Sequence, residues 1–140
     1  MTDTLIEKTR ERGVLWLTLN DADQRNPLSS TMLAEITSSL ETAYDDEEIR
    51  CIVIAAHGPV FSAGHDLTEM ARRLEETTEA WKRRVMDVLE ACATMMQHIV
   101  HGPKAVIACV QGTATAAGCQ LVSACDLSLI HISEPTRLCR

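Results

Sequence analysis

The sequence has no CxxC pair, no apolar run of membrane-spanning length, no internal repeat and no excess of positive charge. A formal charge of −7 removes any general attraction to nucleic acid or an anionic membrane, because such binding needs clustered Lys and Arg. Neither partner is expected. The same balance does not steer an anionic ligand, so phosphates would have to be held by local donors such as helix N-termini or one placed Arg. The six cysteines, Cys51, Cys92, Cys109, Cys119, Cys125 and Cys139, sit mostly in apolar stretches. A reduced thiol there behaves as a small hydrophobe, which points to a reducing compartment and no metal. The segment Met1 to Thr4 carries neither a basic n-region nor an Arg-rich leader, so a cytoplasmic location is expected.

What is present suits one globular domain. With 46% apolar and 24% charged residues, 140 residues can bury a substantial core but not two. Leu5 to Arg10 and Val14 to Asn20 are rich in strand formers, and Glu11-Arg12-Gly13 between them predicts an antiparallel hairpin. Asn26-Pro27 keeps the chain out of helix until Ser29 or Ser30 offers an N-cap. The following stripe of Met32 or Leu33, Ile36, Leu40 and Ala43 predicts a helix closed by Asp45 to Glu48.

Cys51 to Ala56 and Ala105 to Gln111 are apolar runs with β-branched residues, as in parallel strands buried on both faces. Between them, Asp66 with Glu69 three residues on reads as a capping box opening a helix. Trp81, Val85, Val88, Leu89, Cys92, Met95, Met96 and Ile99 then write a long helix from about Thr78 to His101, stopped by Gly102-Pro103. Another helix carries Leu121, Val122 and Cys125.

Each buried strand therefore leads into a small-residue loop that opens a helix: Ser62-Ala63-Gly64-His65-Asp66, and Gly112 to Gly118. Helix N-termini present N–H groups without internal partners, and small residues permit close approach. Two such N–H groups converging on one point would stabilise an oxyanion, as when a thioester carbonyl gains charge.

These residues, in this order, resemble the crotonase superfamily, the enoyl-CoA hydratase/isomerase family. The resemblance rests on Cys51 to Ala56, on Phe61-Ser62-Ala63-Gly64-His65-Asp66-Leu67, on Ala105 to Gly112, on Ala116-Ala117-Gly118-Cys119-Gln120-Leu121 and on Ala124-Cys125-Asp126. Asn26-Pro27-Leu28-Ser29 is similar to a further family segment. The resemblance implies an α/β fold with the ββα spiral core and an acyl-CoA thioester as ligand in fatty acid metabolism. Coenzyme A would enter as part of the substrate, with no separate cofactor, and the full-length form would be a homotrimer or hexamer. The two oxyanion N–H donors fall on His65 and Ala117. Ala63, Gly64, His65, Asp66, Leu67 and Thr68 would line the CoA pocket with Ala117, and Gln24-Arg25 would lie near its adenosine end. Arg25 would supply local positive charge, or be a solvated loop residue. The family uses the backbone at His65, so its side chain is not assigned a catalytic role. His98 and His101 at a helix end suit the negative helix terminus better than a metal.

Two departures stand out. Hydratases of this family place a catalytic glutamate where this chain has Gln120, and glutamine can orient a group but not relay a proton. That leaves open a hydratase or isomerase, another acyl-CoA enzyme, or a catalytically silent binding protein. The resemblance also stops after Asp126. Residues 127 to 140 resemble a translated library adapter, with a real strand from Leu127 to Ile132 as the alternative. The expected organisation is thus an incomplete crotonase-like domain over residues 1 to 126 and a foreign tail over 127 to 140. A dinucleotide-binding domain is disfavoured by the lack of GxGxxG.

Overall fold

The structure is a computed structural model describing residues 4–130. Strands β1 (Ile6–Glu11) and β2 (Val14–Leu19) pair antiparallel, with Glu11 opposite Val14. That register leaves a two-residue turn, Arg12-Gly13, whose φ angles of 49° and 82° match the twist of a hairpin. A short 3-10 turn, Ala22–Gln24, leads to β3 (Pro27–Leu28) and then α1 (Ser30–Asp45). Ser29 caps α1, its hydroxyl accepting from Met32 N at 3.1 Å. The helix buries the predicted stripe of Met32, Leu33, Ile36, Leu40 and Ala43.

β4 (Cys51–Ala56) lies parallel to β2. Short strands β5 (Val60–Ser62) and β6 (Gly64–His65) follow, then α2 (Leu67–Met70) and α3 (Thr78–His101). Next come β7 (Ala105–Val110), β8 (Thr113–Ala114), α4 (Ala117–Ala124) and β9 (Leu127–Ile130). The main sheet has the order β1-β2-β4-β7-β9, and every pairing after the first is parallel. Two small parallel pairs, β3 with β6 and β5 with β8, tie the connecting loops together.

One sheet face, carrying Leu17, Leu19, Ile52, Ile54, Val106 and Ala108, is buried in one cluster with the stripes of α1 and α3. Each such side chain contributes about 1.5–3 kcal/mol on burial. The opposite face is less covered than the sequence implies. Val53 is buried, but its row-mates Trp16 and Ile107 are only half-buried and Leu127 is exposed.

One local expectation changes. Asp66 does cap α2, through Thr68 N at 2.9 Å, but Glu69 does not close a capping box. Its carboxylate instead reaches Ser30 N at 3.0 Å and Ser30 Oγ at 2.7 Å, where the free N–H groups opening α1 attract it more strongly than its own short helix. That helix lasts four residues before an irregular link to α3. At the other end of the chain, Leu127–Ile130 is a strand paired with β7, while the expectation for residues 131–140 lies outside the described residues.

Candidate functional site

Because β2, β4 and β7 are parallel, the loops that leave them emerge at one edge of the sheet. The first loop turns sharply at Arg25 and Asn26, both left-handed with φ of 66° and 50°. Asn26 is fully buried there. Its Oδ1 accepts from Asp21 N at 2.9 Å, and its Nδ2 donates to His57 O and Val60 O, each at 2.9 Å. One amide thus joins the exits of β2 and β4.

Ser62, equally buried, makes the next link. Its hydroxyl donates to Asn26 O at 2.8 Å and accepts from Gly64 N at 3.2 Å. Its carbonyl accepts from Thr115 N at 3.1 Å, and Thr115 Oγ1 donates to Ala63 O at 3.2 Å, so the third loop is bound to the second.

The small residues are what let these loops meet. Gly64 has a φ of 92°, and a Cβ placed on it would sit 3.0 Å from Ala116 Cβ and 3.2 Å from Ala117 N. A Cβ on Gly118 would lie 2.5 Å from Ser62 O, which no packing adjustment absorbs. The second loop therefore touches the first residue of α4 along its backbone.

The two expected N–H donors follow from this geometry. Ala117 is the first residue of α4, so its N–H has no partner within the helix; the recorded backbone bonds at this terminus begin with Gly118 N to Thr115 O at 2.8 Å. In the β3–β6 pair, Pro27 stands opposite Gly64 and carries no N–H, so the bonds run through Gly64. Alternation then turns the His65 N–H away from β3.

Next to His65 is a pocket of about 400 Å³, lined by Arg25, Ala63, His65, Asp66, Leu67 and Thr68 among others. Six of the sequence-predicted residues thus meet at one pocket. Gly64 and Ala117 are buried behind it, and Gln120 is exposed one turn along α4 from Ala117. Arg25 is exposed and is the one cation among the lining residues, beside the carboxylates of Asp21 and Asp66. Asp66 is occupied locally, accepting from Thr68 N and from Thr68 Oγ1 at 2.6 Å. His98 is tied to Glu41 at 3.0 Å and to Thr94 O at 2.8 Å, which anchors it to α1 rather than to His101.

Sequence reasoning missed the linking roles of Asn26 and Ser62, although both lie in segments it singled out. It also missed Arg84. This guanidinium on α3 donates to Glu69 O, to Ala71 O at 2.9 Å and to both oxygens of Glu76 at 3.0 and 2.8 Å. It thereby fixes the segment that follows the pocket-lining residues, with Trp81 Nε1 adding a bond to Met70 O at 2.9 Å.

Comparison with known proteins bears on the family and the fold. A family model described as enoyl-CoA hydratase/isomerase matches residues 9–134. The human protein named enoyl-CoA hydratase domain-containing protein 3, mitochondrial, is 39% identical over 117 residues, covering 84% of this chain and 37% of that protein. Its crystal structure superposes with a TM-score of 0.82 at 37% identity, over 91% of this chain and 48% of that one. An enoyl-CoA hydratase of Mycobacterium smegmatis gives a TM-score of 0.80 at 42% identity, over 91% and 48%. The 2,3-dehydroadipyl-CoA hydratase of Escherichia coli is 35% identical over 120 residues, 85% of this chain and 43% of that one. The chain thus spans less than half the length of these relatives.

Proposed function

The chain belongs to the enoyl-CoA hydratase/isomerase family, and from that premise we propose that it holds an acyl-CoA thioester by its carbonyl oxygen, with the His65 and Ala117 N–H groups as the two donors. The observation that carries this reading is the close approach of Gly64, the neighbour of His65, to the first residue of α4: a Cβ placed on Gly64 would lie 3.2 Å from Ala117 N. Negative charge gathers on the thioester oxygen when an α-proton leaves or the β-carbon is attacked. Fixed backbone donors stabilise that charge without reorganising, and one such donor is worth about 10²–10³ in rate. Arg25 is assigned to the anionic end of coenzyme A.

Gln120 decides between reactions. It stands three residues after Ala117 on α4, on the same side of the helix, and its amide can orient a water or a thioester but cannot carry a proton between them. Polarisation of the thioester is therefore proposed ahead of hydration. The second reading, a catalytically silent acyl-CoA-binding protein, is favoured by the same residue. The longer form is proposed to be a homotrimer or hexamer. The proposed compartment is cytoplasmic, in keeping with free thiols at Cys51, Cys92, Cys109, Cys119 and Cys125, although the human relative is named mitochondrial.

Calorimetric titration with butyryl-CoA and crotonyl-CoA tests the core of the proposal. Saturable binding is expected, and its absence for every CoA ester would end it. In the chain that binds, Gln120→Glu is expected to create hydration of crotonyl-CoA where the parent shows little, read as loss of the enoyl absorbance. Binding without turnover in both forms selects the silent reading.

A further inference from the structure

Buried polar atoms almost always have a hydrogen-bond partner, and those that do not call for a reason. Among the side chains of the described residues, His65 Nδ1 is the buried atom without one. Its neighbours around the pocket are engaged elsewhere: Ser29 Oγ accepts from Met32 N, and Asp66 Oδ1 takes both donors of Thr68. Nothing in the described packing uses this nitrogen, yet His65 lines the 400 Å³ pocket and supplies one of the two amides proposed for the thioester oxygen.

We propose that the imidazole of His65 is a ligand-positioning group whose ring turns on binding, bringing Nδ1 from its unpartnered buried position to an amide or hydroxyl of the bound acyl-CoA within a few atoms of the thioester. The inference rests on the thioester site proposed above and adds a side chain to what was a backbone contact. A neutral imidazole nitrogen either donates or accepts, which suits an amide N–H, an amide carbonyl or a hydroxyl, and gives nothing to a purely hydrocarbon group. Two parts of such a ligand have this chemistry: the pantetheine amide nearest sulfur, and a polar substituent on the acyl chain.

The substitution His65→Leu keeps the main-chain N–H and deletes the ring nitrogens. Its thermal midpoint is expected to stay level or rise, because an unpartnered buried atom is lost, while the Kd for butyryl-CoA rises about tenfold. In His65→Asn the side-chain amide restores a polar atom near the Nδ1 position and is expected to recover most of the affinity. The ¹⁵Nδ1 resonance of His65 is expected to move on adding butyryl-CoA, which a ring serving only packing would not do. Comparing butyryl-CoA with 3-hydroxybutyryl-CoA separates the sources: an equal penalty in His65→Leu assigns the pantetheine amide, and a larger one for the hydroxylated ester assigns the acyl substituent. Unchanged affinity in both variants with a still ¹⁵N signal overturns the inference and leaves the thioester reading standing. A parent chain that binds no CoA ester removes both. Should His65→Leu fail to fold, the ring is structural, and the His65→Asn affinity together with the parent's ¹⁵N shift decides the matter.

Discussion

Replacing Asn26 by alanine would strand three backbone groups, Asp21 N, His57 O and Val60 O, in a fully buried position. A loss of about 1–3 kcal/mol is expected, read as a lower urea midpoint, and the pocket should lose ligand affinity with it because two of its loops part. Ala116 strains the same region from the other side, with φ of 49° and ψ of −124°, a conformation suited to glycine. Ala116→Gly is expected to raise the thermal midpoint by relieving about 1 kcal/mol or more of backbone strain. The cysteines should separate by environment. Burial, reinforced by Asp126, pushes the Cys125 thiol up to about 12, and burial also raises Cys92, whereas Cys119 is exposed. Alkylation by iodoacetamide followed by peptide mass spectrometry is expected to label Cys119 well before Cys92 or Cys125. At this scale the sequence marked several residues that line one pocket but not how their loops are held. Asn26-Pro27 was legible as a break in helix, while two of the three bonds of the Asn26 side chain reach His57 and Val60, more than thirty residues away.

The segment between α2 and α3 depends on an ion pair that no spacing rule announces. Arg84 and Glu76 lie 2.8 Å apart, with side chains 20% and 12% exposed; Arg84 falls on the stripe of α3, three residues after Trp81 and four before Val88, but that spacing does not name Glu76 as its partner. Bonds from Arg84 and from Arg73 N hold the Glu76 carboxyl down at about 2, from an ordinary 4.5. A depressed carboxylate favours the folded arrangement fully above its unfolded value. The pair's contribution should therefore be complete above 4.5 and fade as the pH falls toward about 2. Arg84→Ala is expected to speed cleavage between Ala71 and Thr77 several-fold near neutral pH, and to lose the acid dependence expected of the parent in pepsin digestion. The long elements were legible because α1, α3, β4 and β7 carry strong periodic or continuous apolar patterns. The two- and three-residue strands β3, β5, β6 and β8 were not, since such pairs have no pattern of their own and exist only because the loops around Ser62 and Asn26 are brought together. Glu69 was misread for a related reason: its partner at Ser30 is distant in sequence and near in space.

At the scale of the whole sheet, among the described residues, one side is finished and the other open. β9 forms its outer edge with Leu127, Leu129 and Ile130 at 52%, 54% and 59% exposure, beside the half-covered row of Trp16 and Ile107. An unprotected edge next to apolar surface invites pairing with other strands, so the chain is expected to self-associate with rising concentration. Leu129→Lys should suppress that association in light scattering while leaving the far-UV circular dichroism unchanged. The same parallel layout has a consequence in time. The crossovers from β2 to β4 and from β4 to β7 separate neighbouring strands by more than thirty residues, and such nonlocal pairing is slow to form. On a ribosome, Gly64 is made long before Ala117 exists, and the two cannot touch until β7 has docked. The thioester proposed to bind there would therefore have nothing to grip on the nascent chain, and would reward the finished fold without guiding its assembly.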